Sequence, residues 1–178
     1  MVERTKTNHT AMRPCVDHQV IGAAGEFLTA GKLFKRGYQV SVTYGNAKAI
    51  DLFVYNPQTG RTFKVQVKSQ HRKNCFPVRR EAIDPESIYV FVRLNGPSDL
   101  EEFFVVPGAA ILANISKYFG SSYRDPEHPS SFPAVNYGPL EEHQDKWGVF
   151  DVKQAEVPPD TRMQPATPWE IVRRRNSS

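Results

Sequence analysis

The sequence predicts an α/β protein in which a mixed central sheet is flanked by helices. Two observations lead to this fold class. Apolar residues recur at three- and four-residue steps over residues 17–36, which is the period of a helix packed on one face. Runs rich in Val, Tyr, Phe and Ile follow, and one of them alternates clearly between two faces, as strands do. This order of elements is typical of a layered fold.

The first helix is expected over 17–36, with Asp17 as its N-cap and Gly37 just past its end, after two basic residues. Small side chains recur along it, so it can pack close to a sheet. They are Ala23, Ala24, Gly25, Ala30 and Gly31.

Three short runs joined by tight connections predict an antiparallel meander over 38–69. The sequence Asn-Pro-Gln-Thr-Gly at 56–60 provides a turn between the second and third strands. Two more strands are expected near 87–94 and 102–107, followed by a helix over 108–119.

The length of 178 residues suits one domain with loose ends, here 17–153. We expect 1–16 to be a flexible arm and 154–178 a tail rich in Pro and Arg. A long loop is expected over 120–145, and the apolar run at 147–152 is expected to return to the core.

The composition favours a soluble cytoplasmic protein. Cys15 and Cys75 are far apart and outside any metal-binding pattern, which indicates reduced thiols. The N-terminus lacks the apolar stretch of a signal peptide, and no run approaches the roughly 18 apolar residues of a membrane span. The net charge of +4 is compatible with a polyanionic partner.

Four polar residues stand in segments that otherwise have core composition: Glu26, Asp51, Gln66 and Lys68. Alternation puts Gln66 and Lys68 on one face of a strand, about 7 Å apart at Cα. Asp51 is on the preceding strand, and the turn lies nearly midway, so Asp51 can lie opposite or diagonal to Gln66. A helix packed over this sheet can direct Glu26 at the pair.

These residue types suit hydrolysis of a phosphodiester. Magnesium takes oxygen ligands and, when bound, polarises a phosphate and activates water. Asp51, Gln66 and Glu26 are the candidate ligands, with Mn²⁺ as a substitute metal. Lys68 is the candidate for stabilising developing charge or orienting water.

In this order the residues resemble the PD-(D/E)xK nuclease superfamily, which includes restriction endonucleases, Holliday-junction resolvases and some homing endonucleases. The likeness covers about 18–95 and is greatest to its small stand-alone endonucleases. It implies a restriction-endonuclease-like core and magnesium-dependent cleavage of DNA. It matches Asp51 to the metal-binding Asp, Lys68 to the motif lysine and Glu26 to the helix acid.

The chain departs from that motif at two positions. Ile50 stands where the motif has proline, and Gln66 replaces the second acid. An amide oxygen can bind a cation but brings no charge, so metal affinity should be weaker and depend more on Glu26.

Basic and polar residues around this set predict contacts to nucleic acid. The acidic stretch 141–145 is expected to face away from it. The predicted contacts are Asn46, Lys48, His71, Arg72, Lys73, Arg79 and Arg80.

Several alternatives stay open at this stage. The fold can instead carry a catalytically inactive nucleic-acid-binding module, with Gln66 the mark of a decayed site. It can also carry a protein-interaction module that docks through the aromatic segment 118–147. RNA is not excluded as a substrate, and a homodimer is an open alternative because duplex cutters often act as two-fold dimers.

Overall fold

The computed structural model describes residues 17–43, 50–96, 99–120 and 133–152. The predicted arm at 1–16 and the predicted tail at 154–178 lie outside the described residues, as does much of the 120–145 segment.

Five strands form the central sheet, in the order β1-β2-β3-β5-β6. β3 and β5 are parallel and the other neighbours are antiparallel, so the predicted mixed sheet and its meander are confirmed. The strands are β1 Gln39–Val42, β2 Leu52–Asn56, β3 Arg61–Gln70, β4 Phe76–Pro77, β5 Ser87–Arg93, β6 Glu102–Pro107 and β7 Ala134–Val135. The helices are α1 His18–Phe34, α2 Gly108–Ala113 and α3 Ile115–Phe119, with short 3-10 helices at Arg80–Ala82, Gly138–His143 and Trp147–Asp151.

Both predicted ends of α1 are confirmed. The Asp17 carboxylate accepts a hydrogen bond from the Gln19 N–H at 3.1 Å, which satisfies a free donor of the first turn. Gly37 has φ +86°, the left-handed conformation that favours glycine at a helix C-terminus. The Tyr38 N–H then donates to the Leu33 carbonyl at 3.3 Å and closes the last turn.

The turn between β2 and β3 is held by Asn56, which is buried. Its side-chain oxygen accepts from the Gln58 N–H at 2.8 Å, and its amide donates to the Phe150 carbonyl at 2.9 Å. Gly60 completes the turn with φ +70°. One side chain therefore fixes the turn and also anchors the segment at Trp147–Asp151.

The sheet separates two apolar cores. On one face, Leu33 of α1 packs with Leu52, Val65 and Val90 of the sheet and with Phe150. On the other face, Phe91 and Phe104 pack against Phe76, Ile111 and Tyr118 in a second core. Because α2 contacts β5 and β6, this second layer covers the β5–β6 half of the sheet.

Trp147 and Phe150 are buried in the α1-side core, so the predicted return of 147–152 to the core is confirmed. Asp151 accepts a hydrogen bond from the Tyr38 hydroxyl at 2.6 Å. Burial, followed by this carboxylate, raises the pKa of Tyr38 to about 12.

Two expectations need correction in detail. The helical region at 108–119 is divided in two, because Asn114 leaves helical geometry at φ −132°, ψ 48°. The segment 120–145 is not one long loop, since β7 pairs with β4 and a 3-10 helix runs over Gly138–His143. The Pro and Gly residues of 120–145 concealed β7 and the 3-10 helix in the sequence, because both elements depend on tertiary contacts.

Within the described ranges, no helix is both long and apolar enough to cross a bilayer.

Candidate active site

Asp51 lies at the end of β2 that faces the middle of β3, and two hydrogen bonds hold it there. Its backbone N–H donates to the Val65 carbonyl at 2.9 Å. Its Oδ2 accepts from the Val67 N–H at 2.6 Å. Since Leu52 is paired with Val65, these bonds bring Asp51 beside Gln66, the residue between Val65 and Val67.

Gln66 and Lys68 share one face of β3, opposite to the face that carries Val65 and Val67. Lys68 Nζ lies 4.0 Å from Asp51 Oδ2, and both side chains are half-buried. The Gln66 residue is only 8 % exposed, and no described residue forms a hydrogen bond with its amide group. The amide is not among the fully buried side-chain atoms of the described residues that lack a partner, so water or a ligand can reach it.

Glu26 lies on α1, which packs against the face of β3 that carries Val65 and Val67, not the face that carries Gln66 and Lys68. Burial raises the pKa of Glu26, the negative charge of Asp51 raises it further, and Lys68 lowers it. Glu26 is therefore within electrostatic range of both groups. The two carboxylates repel each other, and the single lysine does not fully offset the repulsion.

The close approach of α1 to β3 depends on Gly25. A Cβ at this position would lie 2.1 Å from the Ser69 Oγ and 2.7 Å from the Ser69 Cβ, which is closer than atoms can pack. The absent side chain therefore lets the helix settle onto β3, and Glu26 follows directly in the chain. The run of small residues in the sequence was the signal for this packing.

The donor set fits a hard divalent cation. Asp51 and Glu26 offer carboxylate oxygens, and Gln66 offers an amide oxygen without a described partner. The two carboxylates repel each other, and a cation between them would remove that repulsion. Over the described part of the chain, no group of three or more His, Cys, Asp and Glu could hold a metal. That result agrees with a set that contains only two acids.

The predicted nucleic-acid contacts have different outcomes. Asn46 and Lys48 lie outside the described residues. Three arginines, Arg72, Arg79 and Arg80, are exposed in the connection between β3 and β5. His71 is also exposed, and its Nδ1 lies 3.1 Å from the Leu94 carbonyl.

Lys73 is in a different position, because its Nζ lies 3.2 Å from Glu141 Oε1 and above the Tyr137 ring. The acidic stretch 141–145 therefore does not face away from the basic segment throughout, and at Lys73 it neutralises a predicted contact. Sequence separation hid this ion pair.

A cleft of about 590 Å³ lies elsewhere on the molecule, with Arg61, Pro85, Pro107 and Val149 in its lining. None of the four candidate residues lines it.

Comparison with known proteins adds little to this geometry. No protein-family model matches the chain, and no curated protein matches it. Among solved structures, a bacterial homing endonuclease, I-Ssp6803I, aligns with 52 % of this chain and 67 % of its own chain, at 23 % identity and a TM-score of 0.40. A likeness of this degree leaves any assignment of function to the chemistry of the site.

Proposed function

We propose that this protein is a magnesium-dependent endonuclease that hydrolyses DNA phosphodiester bonds, with a PD-(D/E)xK-type site on a restriction-endonuclease-like core. The observation that supports it best is the convergence of Asp51, Lys68 and the unpartnered Gln66 amide on one part of β3, with Glu26 approaching from α1. These are the groups that such chemistry requires.

Each residue has a distinct role in this proposal. Asp51, Glu26 and Gln66 would hold Mg²⁺, or Mn²⁺ in its place, which supplies a Lewis acid for the phosphate and a more acidic water. Asp51 is oriented for this by the Val67 N–H, which occupies Oδ2. Lys68, 4.0 Å from that oxygen, is close enough to orient a water or to stabilise charge that develops on the phosphate.

The exposed arginines between β3 and β5 support DNA as the substrate, because guanidinium groups bind phosphate oxygens well. In this proposal Arg72, Arg79 and Arg80 bind the backbone and position the scissile bond. Lys73 contributes less because Glu141 already pairs with it.

The test is the nicking of supercoiled plasmid with Mg²⁺ by the full chain and by Asp51→Ala. We expect Asp51→Ala to lose essentially all activity while its circular dichroism spectrum stays unchanged. Glu86→Ala is the matched control, because Glu86 forms an ion pair with Lys64, another lysine of β3, at 3.1 Å. Glu86→Ala should retain activity. Full activity in Asp51→Ala would refute the proposal.

Gln66 favours one second candidate, a nucleic-acid-binding module that has lost its activity. With an amide in place of an acid, the site has one charge fewer to hold a cation. This candidate predicts DNA binding that weakens with salt, does not respond to Mg²⁺, and leads to no cleavage with any divalent metal. Nicking by the wild type with Mg²⁺ or Mn²⁺ distinguishes the two, since the inactive module cleaves with neither metal.

A further inference from the structure

Among the described residues, the second core on the face that carries Gln66 and Lys68 includes no residue of β1 or β2. Phe53 and Tyr55 of β2 point to this face, since their neighbours Leu52 and Val54 are buried in the core on the α1 side. Phe53 is 39 % exposed and Tyr55 37 % exposed. Two partly exposed aromatic rings therefore stand side by side on this face of the sheet.

The residues around these rings are polar. Phe53 is paired with Ser41 of β1 and Lys64 of β3, and Tyr55 with Gln39 and Thr62. We call the surface formed by Gln39, Ser41, Phe53, Tyr55 and Thr62 the aromatic shelf, which Lys64 borders.

The aromatic shelf is continuous with the candidate active site. Asp51 precedes Phe53 by two residues on the same side of the chain, a distance of about 7 Å along a strand. Lys64, Gln66 and Lys68 form one row along the same face of β3. Among the described residues, the second core covers β5 and β6 on this face and does not extend over the shelf.

The lysine that borders the shelf is paired with two acids. Lys64 Nζ lies 3.1 Å from Glu86 and 3.8 Å from Asp84. Duplex DNA presents mainly phosphates to a flat surface and needs cations, whereas unpaired bases present flat rings that stack on aromatic side chains. The shelf therefore fits unpaired bases better than a duplex backbone.

We propose that Phe53 and Tyr55 stack unpaired bases of a single-stranded segment adjoining the scissile bond. The inference rests on the proposed endonuclease function and gives it a substrate class: DNA with a single-stranded portion next to the cleavage point. In this proposal the exposed arginines between β3 and β5 bind the backbone.

Binding measured without any metal tests this apart from cleavage. The probes are a fluorescein-labelled oligothymidylate and a duplex of equal length, titrated in EDTA with the full chain and followed by fluorescence anisotropy. We expect Phe53→Ala and Tyr55→Ala each to weaken oligothymidylate binding by about 5- to 100-fold, the usual loss of one stacked base. Duplex affinity should change little.

Two variants serve as controls. Phe34→Ala removes an aromatic that is 55 % exposed on α1, on the other side of the sheet, and should leave binding unchanged. Tyr55→Phe keeps the ring and should keep the affinity. Unchanged oligothymidylate binding in both alanine variants, or an equal loss for the duplex, would overturn the stacking role. If the alanine variants lose oligothymidylate binding but the wild type does not nick DNA with Mg²⁺, the stacking role stands and the proposed endonuclease function is refuted.

Discussion

At the scale of single residues, Glu26 is the most informative group. Its carboxylate is half-buried, and both burial and the charge of Asp51 raise its pKa, against the opposing effect of Lys68. The folded protein therefore holds this proton more tightly than the unfolded chain does. Its stability falls as pH rises from 4.5, the ordinary pKa of the group, through the raised pKa of the folded state. At neutral pH the ionised Glu26 therefore lowers the stability of the metal-free protein, and a bound cation would restore that stability.

Glu26→Gln tests this balance. In EDTA at neutral pH we expect the variant to melt at a higher temperature than the wild type, because it removes a carboxylate that burial and Asp51 disfavour. The difference should shrink as pH falls toward 4.5 and vanish well below it, where both states of the wild type hold the proton. Added Mn²⁺ should raise the melting temperature of the wild type more than that of the variant. Calorimetry in EDTA that shows equal or lower stability for the variant would contradict this account.

At the scale of elements, the packing of α1 on β3 determines whether the site is assembled. Gly25 has no room for a methyl group against Ser69, whereas Gly22, one turn earlier, has open space around it. The same substitution at these two helical positions should therefore have opposite effects on stability.

Gly25→Ala should lower the free energy of unfolding by about 1–3 kcal/mol, since the new methyl group must displace Ser69 or lift the helix. Gly22→Ala should raise it by about 0.5–1 kcal/mol, because alanine loses less backbone entropy in a helix. Urea denaturation of both variants measures the pair. Equal effects at the two glycines would show that α1 does not press on β3 at Gly25.

At the scale of the whole molecule, local patterns in the sequence predicted more than distant contacts did. Periodicity, caps and turn residues predicted α1, the meander, β5 and β6, because these features are encoded within short windows. The division at Asn114, the β4–β7 pair and the contact between Lys73 and Glu141 depend on residues far apart in the chain. No local pattern encodes them.

The candidate site shows the same difference between features encoded locally and features that depend on distant contacts. Order and alternation predicted that Asp51, Gln66 and Lys68 would share one region of the sheet. They did not reveal that the Val67 N–H binds Asp51, or that β1 and β2 leave an aromatic shelf beside it. A backbone donor has no sequence signature, and exposure of Phe53 and Tyr55 depends on which half of the sheet the second layer covers.

The most direct test of the central claim is the Mg²⁺-dependent nicking of supercoiled plasmid by Lys68→Ala compared with Lys64→Ala. Both lysines lie on the same face of β3 and both pair with an acid, but only Lys68 lies beside Asp51. The account predicts that Lys68→Ala abolishes nicking while Lys64→Ala retains it, with both variants folded. Wild-type rates in Lys68→Ala, or equal loss in both variants, would contradict it.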